Sequence, residues 1–131
     1  MLSKTRSDIF REAAPKHTAD EEQSLFPRLR AVRGEQGELV FSEMDKLEND
    51  HQWAESLHAE VDRLGGKYLQ DRVLCESEAA EFLNAVESLA EMYQRHIIVE
   101  DNSVFPFAAS VLSQTDKLTI AQEMAKRRKV E

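Results

Sequence analysis

Two stretches of the sequence repeat one pattern of residue types that bind metal ions. The segment HTADEEQSLFP begins at His17, and HIIVEDNSVFP begins at His96. Each copy places a carboxylate, Glu21 or Glu100, four residues after its histidine and ends in serine, an aliphatic residue, phenylalanine and proline. Because residues i and i+4 lie on the same face of a helix, each copy projects an imidazole and a carboxylate together. Two such helices side by side would gather two histidines and two carboxylates, as in the dinuclear metal sites of helical bundles.

The other two histidines lie on the apolar seam of another predicted helix. His51 and His58 occupy positions where the helical spacing otherwise places aliphatic side chains, and Glu55 follows His51 by four residues. Burying four imidazoles and two or three carboxylates costs several kcal/mol unless each finds a partner, and a cation could be the partner of them all. Imidazole with carboxylate suits iron, manganese or zinc. The alternative is a buried hydrogen-bonded network without metal.

The end of each motif predicts features that would support a metal site. A proline has no N–H and its ring excludes the carbonyl four residues earlier, so Pro27 and Pro106 should kink their helices or free a carbonyl. We expect these carbonyls, together with Ser24 and Ser103, to hydrogen-bond the ligands. The aromatic residues expected to form an apolar shell around the site are Phe10, Phe26, Trp53, Phe82, Tyr93 and Phe105.

The elements that must position these residues are all predicted to be helices. The apolar spacing predicts long helices over about residues 7–33, 38–64 and 76–112, and a short helix over about 117–128. The pair Gly65-Gly66 is the strongest predicted break. Only 4 glycines and 3 prolines occur, too few turn residues for an all-β fold. The sequence therefore predicts a single all-α domain spanning residues 1–131.

Composition limits the partners and the compartment. The net charge of -8 argues against a surface that binds nucleic acid or an anionic membrane. No apolar run approaches the roughly 18 residues of a transmembrane helix, and the N-terminus lacks the apolar core of a signal peptide. A cytoplasmic location is therefore expected. Cys75 is the only cysteine, which excludes an intrachain disulfide, and we predict a buried or half-buried thiol.

These motifs make the sequence resemble the hemerythrin-like family, cation-binding domains named for their His-His-Glu pattern. The resemblance covers most of the chain: both repeated motifs match the family's second- and fourth-helix motifs, and Asp50-His51 matches its third-helix histidine. It implies an up-down bundle of helices around a non-haem di-iron centre. The ligands that it implies are His17, Glu21, His51, His96 and Glu100, with Glu21 and Glu100 as candidates to bridge two metal ions. Glu55 and His58 are further candidate ligands.

In one respect the sequence departs from the family pattern. The family's first helix, which carries its own histidine, should precede the segment that starts near residue 7, and six residues are too few for a helix that spans a bundle. A three-helix domain with an open groove is one consequence. A second copy of the chain or the helix over 117–128 could fill that groove, or the site could be reduced to one ion or altered, with Glu55 and His58 as ligands. Because an apolar groove should not stay exposed, we expect a homodimer.

The resemblance implies binding or sensing of oxygen, nitric oxide or iron. We expect binding rather than turnover, because histidine-rich sites favour binding and carboxylate-rich sites favour oxygen activation. Two alternatives stay open. One is a di-iron carboxylate enzyme that consumes peroxide or nitric oxide, and the other is a metal-poor helical module that only dimerises.

Overall fold

Every regular element is a helix in the computed structural model, which describes residues 14–32 and 34–129. The first helix, α1, covers residues 14–30; α2 is Glu35–Asp71; α3 covers residues 76–111; and α4 is Gln114–Arg127. The predicted all-α fold, three long helices and a short C-terminal one, is confirmed. None of these described helices has a stretch long and apolar enough to cross a membrane. The predicted start of the first helix near residue 7 lies outside the described residues.

Both copies of the repeated motif wind as π-helix immediately before their Phe-Pro pair. In α1 the π segment is Asp20–Leu25, and in α3 it is Glu100–Val104. The N–H of Phe26 donates to the carbonyl of Glu21, five residues earlier, as π winding requires. A proline cannot donate to, or sit close to, the carbonyl four residues before it, so ordinary α winding is disfavoured there. The disturbance predicted at the two prolines therefore takes the form of π winding, which is often found at functional sites.

Helix α2 is longer than the sequence predicts. The expected break at Gly65-Gly66 is wrong, because the helix continues through both glycines to Asp71. A glycine inside a helix costs only about 1 kcal/mol relative to alanine, which packing can offset. At Gly65 an added Cβ would lie 3.7 Å from the Phe82 ring, so another element packs closely there. The helix ends before Arg72, whose φ of 61° is left-handed and cannot continue α winding.

The described chain forms two compact units. The central unit, Glu43–Val104, contains most of α2 and the adjoining length of α3. Within it the two helices run antiparallel, since the ion pair Lys67–Glu78 lies beside their connection and the contact of His51 with His96 lies far from it. One hydrophobic cluster of this unit consists of Ala54, Leu89 and Met92, with Leu57, Val61 and Tyr93 packed against it. This pairing places the middle of α2 against the motif of α3.

The terminal unit comprises the described residues up to Ser42 together with those from Phe105 onward. Within it, α4 runs antiparallel to α1, and Phe26 and Leu29 of α1 are fully buried. The hydroxyl of Ser113 accepts the backbone N–H of Asp116 and so caps the N-terminus of α4. The organisation of the whole chain as a single domain stays a prediction.

The single cysteine does not lie where the sequence predicts. Cys75 is exposed, at the N-cap of α3, rather than buried or half-buried. Its backbone N–H donates to Glu78 Oε1 at 3.2 Å, which satisfies one of the donors that a helix start leaves unpaired. The position of Cys75 is therefore explained by helix capping.

Candidate metal centre

Two histidines and one glutamate converge inside the central unit. His51 lies on α2, and His96 and Glu100 lie one turn apart on α3. The imidazole rings of His51 and His96 have centroids 4.9 Å apart, and His96 Nε2 lies 2.5 Å from Glu100 Oε1. Each of the three residues offers a ligand atom, and these atoms all lie within 4.8 Å of one another. His96 and Glu100 are also buried, so the group is held away from bulk water.

Asp50 orients the imidazole of His96. Its Oδ2 lies 3.2 Å from His96 Nδ1. A carboxylate can only accept, so this hydrogen bond assigns a proton to Nδ1. In the neutral ring Nε2 then directs its electron pair towards Glu100 Oε1. The electron pairs of Nε2 and Oε1 lie so close that they need a cation between them, either a proton or a metal ion. Imidazole nitrogen with carboxylate oxygen is a donor set suited to iron, manganese or zinc.

Asp50 is a site residue whose role sequence analysis did not predict. It matched the family only as the neighbour of His51, which gives no indication that it reaches His96 on another helix. The sequence feature that could have indicated this role is the carboxylate of Asp50, which directly precedes a histidine on an apolar helix face. Histidines that bind metal usually donate their other N–H to a carboxylate or a carbonyl, so a candidate for that partner could have been sought near each histidine.

The first copy of the motif lies on α1, in the terminal unit. His17 Nε2 lies 3.0 Å from Glu21 Oε1, so the predicted pairing of residues i and i+4 is present here too. The two copies differ in exposure: the side chain of His17 is 60% exposed, whereas that of His96 is 4% exposed. Glu21 is buried, as Glu100 is. The carboxylate is therefore buried in both copies of the motif, whereas the histidine is buried only in the second.

Two further predicted ligands lie outside the cluster of His51, His96 and Glu100. His58 is half-buried on α2, and its Nε2 lies 2.9 Å from the hydroxyl of Tyr93. Burial lowers the pKa of His58, although the charge of Asp62 opposes the change. Glu55 occupies an exposed position on the same helix. Their role as metal ligands stays a prediction.

The residues expected to support the site are not all placed as predicted. Among the aromatic residues, Phe26 is buried, Phe82 and Tyr93 are half-buried, and Trp53 and Phe105 are exposed; Phe10 lies outside the described residues. Trp53 follows His51 by two residues, about 200° around the helix, so it cannot share the face of that histidine. Ser24 is fully buried and bonds to side chains of α4.

Comparison with known protein families identifies the family of this chain. The hemerythrin HHE cation-binding domain model matches residues 4–108, which is most of the chain. The fold is thus a helical bundle of the hemerythrin type, and the protein belongs to the hemerythrin HHE cation-binding family. No curated protein and no solved structure matches the chain.

Proposed function

We propose that this protein binds a non-haem di-iron centre and, through it, binds or senses oxygen, nitric oxide or iron. The observation that carries the proposal is the cluster of His51, His96 and Glu100, in which Asp50 holds His96 Nδ1. Membership of a cation-binding family supports the same conclusion. Zinc and manganese suit the same donor atoms and are alternatives to iron.

Residues of the central unit would provide ligands to this centre. His51, His96 and Glu100 would donate to the metal, and Asp50 would fix the ring orientation of His96 and raise its basicity. Met92 and Val104 lie four residues before His96 and four after Glu100, and both are essentially fully buried. These two side chains would exclude water from either end of the donor face.

His17 and Glu21 of the first copy are proposed as further ligands. The support is the sequence repeat and the burial of the Glu21 carboxylate, and His17 would be a ligand by the same analogy. Glu21 and Glu100 would then be the candidates to bridge two ions, as equivalent residues of the two copies. When bound, the iron ions supply an open coordination position and a reversible change of oxidation state.

The test begins with iron content. The protein is loaded with ferrous iron without oxygen, its metal content is measured by elemental analysis, and visible spectra are recorded before and after air. We expect about two irons per chain, as in other bundles with paired carboxylate motifs, and an oxo-bridge charge-transfer band that reverses on deoxygenation. A His51→Ala variant treated identically should lose iron.

Other results would contradict the proposal in different ways. Tighter binding of zinc or manganese than of iron would replace the proposed metal. Steady consumption of peroxide or nitric oxide by the iron-loaded protein would favour the enzyme alternative. No bound metal of any kind would favour the metal-poor helical module.

We also propose that the protein is a homodimer. Three exposed apolar residues, Leu83, Val86 and Ile97, follow one another along α3 at spacings close to whole helical turns. Sedimentation equilibrium of the wild type and of an Ile97→Lys variant tests this, because a charge on the shared surface should shift the dimer towards monomer. A monomeric mass for the wild-type protein with full metal occupancy would refute it.

A further inference from the structure

The last helix makes partly buried ionic contacts with the helix that carries the first motif. Helix α4 lies beyond residues 4–108, the part that matches the family model. Its last residue, Arg127, donates from Nη1 to the carboxylate of Asp20 at 3.1 Å. Arg128, the C-cap residue that follows the helix, donates to the same carboxylate from Nη1 at 3.0 Å and from Nη2 at 2.6 Å. Asp20 is only 3% exposed, so these guanidinium groups are what compensates its charge.

A second set of contacts lies one turn further along α1. Ser24 Oγ donates to Glu123 Oε1 at 2.6 Å and accepts from Arg127 Nη2 at 2.6 Å. Arg28 forms a bidentate salt bridge with Glu123, with Nη2–Oε2 at 2.8 Å and Nη1–Oε1 at 3.0 Å. Arg28 Nη1 also donates to the carbonyl of Ser24 at 2.8 Å. The network therefore binds α4 to side chains and to the backbone of α1.

These contacts converge on the π segment Asp20–Leu25. Asp20 is its first residue, Ser24 is the last but one, and Glu21 lies between them. A π segment is rare, and its winding must be favoured over α winding by its surroundings. The buried bonds to Asp20 and Ser24 fix both ends of the segment. The direction of the Glu21 carboxylate follows from the winding of the backbone that carries it.

We propose that α4 is a positioning element of the metal centre: Arg127, Arg128 and Glu123 hold Asp20 and Ser24, and so fix the π segment that presents Glu21. The α4 residues would act through α1 and not as metal ligands. The inference rests on the proposed function, because it takes Glu21 to be a ligand.

The test is a double-mutant cycle on metal affinity. Ferrous iron and cobalt(II) are titrated by competition with a chelator into the wild type, Arg127→Ala/Arg128→Ala, Glu21→Gln, and the combination of all three substitutions. We expect the arginine variant to bind about 10 to 100 times more weakly, as when outer residues that orient a ligand are lost. In the Glu21→Gln background the same arginine substitutions should have almost no effect on metal affinity, because the carboxylate that they position is already absent.

Several controls separate positioning from folding. Lys117→Ala removes a bond from α4 to the carbonyl of Ala109, which does not involve α1, and should leave metal affinity unchanged. The single variant Arg128→Ala keeps the bond from Arg127 to Asp20, and it replaces the double variant in the titrations if the double variant does not fold. Circular dichroism of the metal-free proteins shows which variants are folded at the titration temperature. The cobalt(II) spectrum at saturation should change in the arginine variants, whereas a loss of stability alone would leave it unaltered.

Each outcome decides a separate claim. Equal arginine effects with and without Glu21 would overturn the positioning role, because the arginines would then act on stability. An arginine variant with wild-type affinity would overturn it as well, while the proposed metal binding would stand. If Glu21→Gln binds like the wild type, Glu21 is not a ligand and the inference fails. If the wild type binds neither metal, the proposed function itself fails.

Discussion

His96 Nε2 and Glu100 Oε1 lie 2.5 Å apart at the point where α3 changes from α to π winding. The two residues are four apart, so a helix alone brings them together. Their burial does not follow from that spacing, because the equivalent His17 is exposed while Glu21 is buried. The contrast shows that the His-Glu pair of α3 is better shielded from solvent than the equivalent pair of α1.

Replacing His96 with alanine should abolish tight metal binding. The substitution removes one of three donor groups that lie within 4.8 Å of one another in the central unit. We expect affinity for ferrous iron to fall by more than about a hundredfold, beyond the range seen when only outer residues are lost. Competition titration measures it, and Gln94→Ala, an exposed neighbour on the same helix, is the matched control. Similar affinities for the two variants would exclude His96 as a ligand.

Changing Asp50 should weaken metal binding without removing it. Its Oδ2 accepts from His96 Nδ1, so Asp50→Ala frees the ring to rotate and lowers its basicity. We expect the metal affinity of Asp50→Ala to fall about 10- to 100-fold, with unchanged stoichiometry at saturating metal. The affinity of Asp50→Asn, whose side chain can still accept that bond, should lie between those of the wild type and Asp50→Ala. The control is Asn49→Ala, an exposed substitution beside it on α2. A wild-type affinity for Asp50→Ala would mean that this contact has no part in binding.

Replacing Pro106 with alanine should reduce metal affinity while preserving or raising stability. Alanine restores the backbone N–H and removes the ring that excludes the carbonyl of Asn102, so α winding can replace the π segment. The altered winding would turn Glu100 away from His96, and we expect about tenfold weaker binding. Thermal unfolding of the metal-free protein is measured alongside the metal titration. Pro15→Ala is the control, since Pro15 lies in ordinary α winding. An unchanged affinity would show that the π segment is dispensable.

The pair between Arg28 and Glu123 should make stability depend on pH in the acid range. The hydrogen bond from Arg28, followed by that from Ser24, lowers the pKa of Glu123 from its usual 4.5 to about 2. The folded state therefore keeps this carboxylate ionised at pH values where the unfolded chain takes up a proton. Its contribution is complete above pH 4.5 and is lost as the pH falls through about 2.

Urea unfolding of the metal-free wild type and of Glu123→Gln, repeated across this range, measures the effect. The difference in free energy of unfolding between the two proteins should shrink as the pH falls. Glu78, which the bond from Lys67 also holds at a pKa of about 2, titrates in both proteins, so it cancels in the comparison. A difference that stays constant with pH would contradict the assigned pairing.

The sequence by itself determined the helical fold, the repeated ligand motif and the family. These follow from local rules, because the spacing of apolar residues sets the helix faces and a separation of four residues places His96 beside Glu100. The two prolines likewise predicted a disturbance at the end of each motif. The length of α2 was missed, since the cost of Gly65 and Gly66 is small enough for packing to overcome.

Only the tertiary structure decided which helices face each other. The antiparallel pairing of α2 with α3 brings His51 and Asp50 to His96, and the pairing of α4 with α1 compensates the buried charge of Asp20. Periodicity states which face of a helix is buried but not what it is buried against. The contacts that join residues 46 or 108 positions apart depend on packing across helices, which no local pattern specifies.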